Sequence, residues 1–312
     1  KTLLRAAGLA ALLSFSCAAL SQTNQDLEQT STDETQDKKD WDVLSPSFDL
    51  AAVSIDTDQT TWSSLDVTPD GKQFVFDMLG DIYITGIKGG KAEALTQDFA
   101  WNIHPTVSPD GEKIAFISDR GGLSNLWLMD KDGSHLKQLS KEKNNLIHSP
   151  KWSPDGQYIA VSKGIMSSRS IPAGEIWLYH HSGGDGLAIK ERVNGKVDQK
   201  NIADPAFSPD GKYLYFTQDI TGGSTFSYNR DPLKGIFAIT RYELSNGEEE
   251  RFVGGTGGAV VPTPSPDGKH LAFIRRVKEK TVLFVKDLVT GMEKPLYMNL
   301  ERDMQEGFGS EG

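Results

Sequence analysis

A tetrapeptide that recurs five times constrains this chain more than any other feature. Thr/Ser-Pro-Asp-Gly stands at 68–71, 108–111, 153–156, 208–211 and 265–268, with its glycines 40, 45, 55 and 57 residues apart. Proline presets φ for the first central position of a type I turn, Asp suits the second, and Gly accepts the positive φ that follows. A preceding Ser or Thr can bond back to the turn. Asp70, Gly71, Asp110, Gly111, Asp155, Gly156, Asp210, Gly211, Asp267 and Gly268 are therefore expected to build hairpin corners, not binding loops.

The flanks repeat as well. After each corner comes an apolar run: Phe74-Val75-Phe76, Ile114-Ala115-Phe116-Ile117, Tyr158-Ile159-Ala160-Val161, Leu214-Tyr215-Phe216 and Leu271-Ala272-Phe273-Ile274. A second run follows, such as Leu126-Trp127-Leu128 or Ile176-Trp177-Leu178, then a turn and a short last strand. Counting the strand that enters the corner, each unit has four strands. One such sheet cannot cover both its faces, whereas several stacked radially can. The expected fold is all-β: a β-propeller of four-stranded blades over 43–306, with five repeats near 62–96, 101–140, 146–190, 201–253 and 259–296. A β-sandwich lacks so long a regular repeat, and a parallel β-helix has a much shorter one.

The ends read differently. Lys1 and Arg5, the apolar run Leu9–Phe15 and Ala19-Leu20-Ser21 have the layout of a signal peptide over 1–21. The run is too short for a transmembrane helix. Cys17, the single cysteine, fits a lipobox poorly because Leu13 sits one position too early, so a lipidated Cys17 is the lesser membrane route. Residues 22–42 form a polar, acidic linker with too little apolar surface to fold. Residues 307–312 are expected to be an unstructured tail. The formal net charge of −10 repels phosphate backbones and argues against nucleic-acid binding.

Residues 107–140, with Ser118-Asp119-Arg120-Gly121-Gly122 after the second strand, resemble the PD40 (WD40-like) repeat of TolB-like propellers, and the likeness extends over about 56–300. Ala173–His180, Pro205–Tyr215 and Gly257–Gly268 further resemble the N-terminal propeller of exported proteins that carry a metal-dependent amidohydrolase domain; Asp303–Glu306 resembles the point where that propeller continues. The resemblance implies a ring of six or seven blades, incomplete here, in a periplasmic or secreted protein. Alternatively, a strand near Leu50–Ile55 closes a smaller ring with the last unit.

No catalytic constellation stands out. The six histidines contain no His-x-His pair, and the neighbours His180 and His181 are expected on opposite faces of a strand. No Gly-x-Ser-x-Gly elbow is present. Gly254–Gly258 fits neither phosphate-binding fingerprint and reads as a flexible interblade loop. No catalytic, cofactor or metal site is expected in this segment; a divalent metal such as zinc would belong to the amidohydrolase-like domain the resemblance implies. One positional set remains. Five residues before each corner proline stand Ser64, His104, Ser149, Asp204 and Val261, near the start of the innermost strand. His104 and Asp204, with Asn102, His148 and Asn201, could line a channel mouth for a ligand or partner, or could hydrogen-bond neighbouring blades. Insertions at 163–173, 181–204 and 217–234 lengthen units three and four. The last carries Phe226, Tyr228 and Arg230, suited to protein contact.

Three functions stay open: a docking scaffold, for another protein or its own downstream domain, within a larger amidohydrolase-like protein; a stand-alone TolB-like periplasmic interaction module; and a hydrolase with its site in the funnel.

Overall fold

The computed structural model describes residues 42–47, 51, 53–60, 63–166, 172–192, 197–226, 230–278, 280–298 and 300. The expected signal segment, Cys17, almost all of the linker, Tyr228, Asp303–Glu306 and the tail lie outside them.

Five four-stranded antiparallel sheets follow one another along the chain. Blade 1 holds β1 (Leu65–Val67), β2 (Gln73–Met78), β3 (Asp81–Gly86) and β4 (Glu93–Ala94). Blade 2 holds β5 (Asn102–Val107), β6 (Lys113–Ser118), β7 (Asn125–Asp130) and β8 (Lys137–Gln138). Blade 3 holds β9 (Leu146–Trp152), β10 (Tyr158–Met166), β11 (Pro172–His180) and β12 (Leu187–Lys190). Blade 4 holds β13 (Ile202–Phe207), β14 (Tyr213–Asp219), β15 (Phe237–Glu243) and β16 (Glu249–Val253). Blade 5 holds β17 (Val260–Pro264), β18 (His270–Val277), β19 (Lys280–Asp287) and β20 (Glu293–Tyr297). The first strands β1, β5, β9, β13 and β17 neighbour one another in that order, which makes them the inner strands of a propeller.

The corners fold as their chemistry dictates. In blade 2 the Gly111 N–H bonds the Ser108 carbonyl, and the Ser108 hydroxyl donates to Asp110 Oδ1 at 2.6 Å while accepting the Lys113 N–H at 2.9 Å. The glycines sit at φ 67–74°. Each hydroxyl bond, aided by a backbone N–H, holds its Asp carboxyl below the ordinary value. Adjacent corners stack: a Cβ on Gly111 would lie 3.6 Å from Pro69.

Between blades the core is apolar. Val75 and Ile82 of blade 1 meet Ile114, Phe116 and Met129 of blade 2, and Ile117 and Leu126 meet Ile147, Ile159 and Val161 of blade 3. The outer faces of the end blades lack such cover. Leu65, Phe74, Phe76 and Tyr83 on blade 1, and Ile274, Leu283, Val285 and Tyr297 on blade 5, stay half-buried or exposed. No packing of comparable extent joins β17 to β1 among the described residues.

Three expectations are corrected. Residues 51 and 53–60 form no strand and are exposed; the five residues from Asp56 to Thr60 are all polar and leave little apolar surface to bury. Most of the presumed 163–173 insertion continues the β10–β11 hairpin in register from Tyr158↔His180 to Met166↔Pro172. Gly254–Gly258 is packed, not loose: Arg275 donates to the carbonyls of Gly254 (2.9 Å) and Gly258 (3.1 Å), and a Cβ on Gly257 would strike the Arg276 carbonyl.

Candidate functional site

The inner strands of blades 2–5 each carry a bulge near their start, and four of the five residues singled out by position lie in it; β1 pairs without a break, and Ser64 before it has no positive φ. His104, Ser149, Asp204 and Val261 adopt φ of 51–55°, a left-handed conformation that costs a non-glycine residue about 1–2 kcal/mol. Each is followed by proline: Pro105, Pro150, Pro205 and Pro262. The strand register breaks there in every case. Proline has no N–H to lose, so it fits where the ladder is interrupted. This second proline, four residues before each of these four corner prolines, is the signal in the sequence that marks the bulge.

The freed N–H groups are captured across the blade junctions. His104 N–H donates to Asp77 Oδ2 at 2.6 Å, Asp204 N–H to Ser162 Oγ at 3.0 Å, and Val261 N–H to Thr217 Oγ1 at 3.0 Å. Asp77, Ser162 and Thr217 occupy one position, six residues past their corner glycine. In blade 2 that position is Ile117, which cannot accept; His104 Nδ1 takes the Ser149 N–H instead, at 3.4 Å. Asp204 Oδ2 in turn accepts the Thr217 hydroxyl at 2.8 Å. A polar link near the axis thus spans each blade junction from blade 1 to blade 5.

Burial shapes its electrostatics. Desolvation, reinforced by the Lys151 ammonium, lowers His104 to about 4; desolvation and the His104 charge lower His148 to about 4. Desolvation raises Asp77 and Asp204, opposed for Asp77 by the N–H groups of His104 and Ser64 and for Asp204 by the Thr217 hydroxyl and Lys151. At neutral pH both imidazoles are therefore neutral, and Lys151, beside His104, is a residue of this group that the sequence pattern does not single out.

The other expected residues part company. Asn102 is fully buried and faces away from the channel group: its amide nitrogen donates to the carbonyls of Gly80 (3.1 Å) and Ala100 (3.0 Å), and its Oδ1 accepts Arg120 Nη2 at 2.7 Å. Asn201 packs where a Cβ on Gly174 would otherwise go. Phe226 and Arg230 contact each other, the guanidinium lying 4.2 Å above the ring, and Arg230 pairs with buried Asp219. His180 and His181 do not diverge: their rings lie 4.6 Å apart, because β11 ends at His180 and strand alternation stops there. No group of three or more His, Cys, Asp or Glu side chains suited to a metal occurs among the described residues.

Residues 55–176 match the model of the PD40 family, described as the TolB beta propeller domain. An uncharacterized peptidase of Bacillus subtilis, YuxL, is 31% identical over 170 residues, covering 45% of this chain and 25% of that protein. A TolB homolog of Chlorobium chlorochromatii is 37% identical over 168 residues, covering 53% of this chain and 31% of that protein. The solved structure of a protein of Agrobacterium tumefaciens, described as a TolB, superposes with a TM-score of 0.59 at 21% identity, over 76% of this chain and 80% of that one. At that identity the likeness shows the fold alone: a TolB-like β-propeller. The chain spans less than a third of the length of the Bacillus and Chlorobium relatives.

Proposed function

We propose that this chain is an exported protein-interaction scaffold, docking either a separate envelope protein or a catalytic domain of a longer polypeptide. The observation that carries this reading is the set of polar links near the axis. Asp77, His104 and Asp204, the groups best placed for chemistry, are engaged in holding blade to blade. Rigid blades then present loops at the same end, the usual place for recognition. Likeness to TolB proteins supports the interaction reading, and the layout of residues 1–21 supports export.

A second reading, the propeller of a larger hydrolase, is favoured by the peptidase relative, of which this chain covers a quarter. An amidohydrolase partner domain rests on the sequence resemblance alone, so a peptidase domain stands beside it. A hydrolase centred in the funnel is disfavoured because His104 Nδ1, the atom a general base would use, accepts a backbone N–H.

Photocrosslinking tests the scaffold. A benzophenone side chain at Leu146 or Leu233, exposed at the channel end, is expected to give discrete protein adducts in the cell envelope, whereas Leu136, exposed on a turn at the corner end, gives none. Equal labelling at both ends, or amide hydrolysis by the purified chain that is lost in His104→Gln, would reject it.

A further inference from the structure

Beside the channel, where blades 1 and 2 meet, three large apolar side chains face solvent: Leu79 (65% exposed), Phe99 (57%) and Trp101 (55%). Resting on the scaffold reading, we propose that this rim is the docking site for a polypeptide segment carrying an apolar anchor flanked by Lys or Arg.

Local conformation is the first argument. Leu79 and Gly80 join β2 to β3 with φ of 54° and 87°. Two-residue turns with both φ values positive favour Asn-Gly. Leucine in the left-handed region is unfavourable, and at this exposure it recovers little by packing. Such strain in an exposed apolar residue points to a task outside the fold.

The second argument is preorganisation. A Cβ on Gly80 would lie 2.7 Å from the Trp101 ring, so the ring packs against this turn and the two loops are in contact. The loop bearing Phe99 and Trp101 is braced from beneath. Asp98 Oδ1 accepts the Ala100 N–H at 3.0 Å, Asp119 Oδ1 accepts the Trp101 N–H at 2.7 Å, and Asn102 donates to Gly80 and Ala100. Arg120 ties Asn102 to Asp98, the latter at 3.1 Å. A partly buried network thus fixes the backbone that carries both aromatic side chains, and preorganised aromatic anchors lose little entropy on binding. The position equivalent to Trp101, eight residues before the corner proline, is Leu146, Asn201 and Gly258 in blades 3–5, so the aromatic display is particular to this junction among them.

Charge selects the partner. Asp81 follows the Leu79-Gly80 turn, Asp98 lies in the loop that carries the rings and Asp119 holds the Trp101 N–H, with Arg120 paired to Asp98 among them, on a chain of net charge −10. Basic flanks on the partner would be attracted, and its cations can also lie over the Trp101 face. An anionic lipid surface would be repelled.

Isothermal titration of the full chain with two amidated peptides, Gly-Lys-Phe-Lys-Leu-Lys-Gly and its Glu-for-Lys counterpart, tests the proposal. The basic peptide is expected to bind the more tightly, and Phe99→Ser and Trp101→Ser each to weaken it by about tenfold or more. Leu79→Asn is expected to weaken binding while raising Tm, which a purely structural leucine would not do. Leu136→Ser, at the corner end, leaves binding unchanged. Preference for the acidic peptide, no binding at about 1 mM, or recruitment of the chain to phosphatidylglycerol vesicles overturns the inference. Binding that survives all three rim variants but is lost in His148→Asn overturns it too, while leaving the scaffold reading standing. Where the rim fails, the envelope crosslinks at Leu146 and Leu233 judge that broader reading separately.

Discussion

His104 shows how a residue can look catalytic and be architectural. Its backbone needs a positive φ, its N–H needs an acceptor from blade 1, and its Nδ1 supplies one to blade 3. That last bond requires a neutral ring. Because burial holds His104 and His148 near 4, below the ordinary 6.5, the folded chain binds fewer protons than the unfolded chain between those pH values. Stability is therefore present in full above about pH 6.5 and falls as pH drops toward 4, by up to about 3 kcal/mol per histidine. Asp77 and Asp204 act oppositely, since their raised values favour the folded state as they protonate, and they soften the acid end of the window. Urea unfolding of His104→Gln, whose amide oxygen can still accept the Ser149 N–H, is expected to lose less stability from pH 7 to 4.5 than the parent. A parallel loss in both would remove this role.

Among the elements, the corner turns were legible because their chemistry is local: Ser, Pro, Asp and Gly each satisfy a neighbour within five residues. The central strands were legible from their apolar runs. The bulges were only half legible. Position singled out His104 and Asp204, but the acceptors six residues past the preceding blade's corner, Asp77, Ser162 and Thr217, become partners only once blades stack. Asn102 misled for the same reason, as its buried bonds reach back to Gly80 in blade 1. Glycine was hardest to read. Gly174 in β11 carries no positive φ, yet a Cβ there would strike the Ile202 carbonyl of β13 and lie 2.5 Å from Asn201 Oδ1. Gly174→Ala should therefore force blades 3 and 4 apart and lower the unfolding free energy by about 2–3 kcal/mol. Gly→Ala at Gly183, an open turn position with nothing nearby, should cost about 1 kcal/mol from φ alone. Denaturant titration ranks the two, and equal losses would mean that the close approach is relieved without strain.

On the scale of the whole molecule, each blade depends on its neighbours twice. Apolar faces exclude water between sheets, and near the axis a side chain of one blade closes the bulge of the next. The end blades keep uncovered apolar faces, so Leu283→Lys on blade 5 should be tolerated where Phe273→Ala, on the covered face, costs about 3–4 kcal/mol. The bulge amides are held by the adjoining blade and not by their own sheet. Residue-resolved amide exchange tests this directly. The N–H groups of Asp204 and Val261 should exchange slowly although they lie outside their own strand ladders. Ser162→Ala should release Asp204 alone and Thr217→Val should release Val261 alone, leaving the strand amides of both blades protected. Rapid exchange at these two amides in the parent chain, or no change in either variant, would mean that the adjoining blade does not hold them.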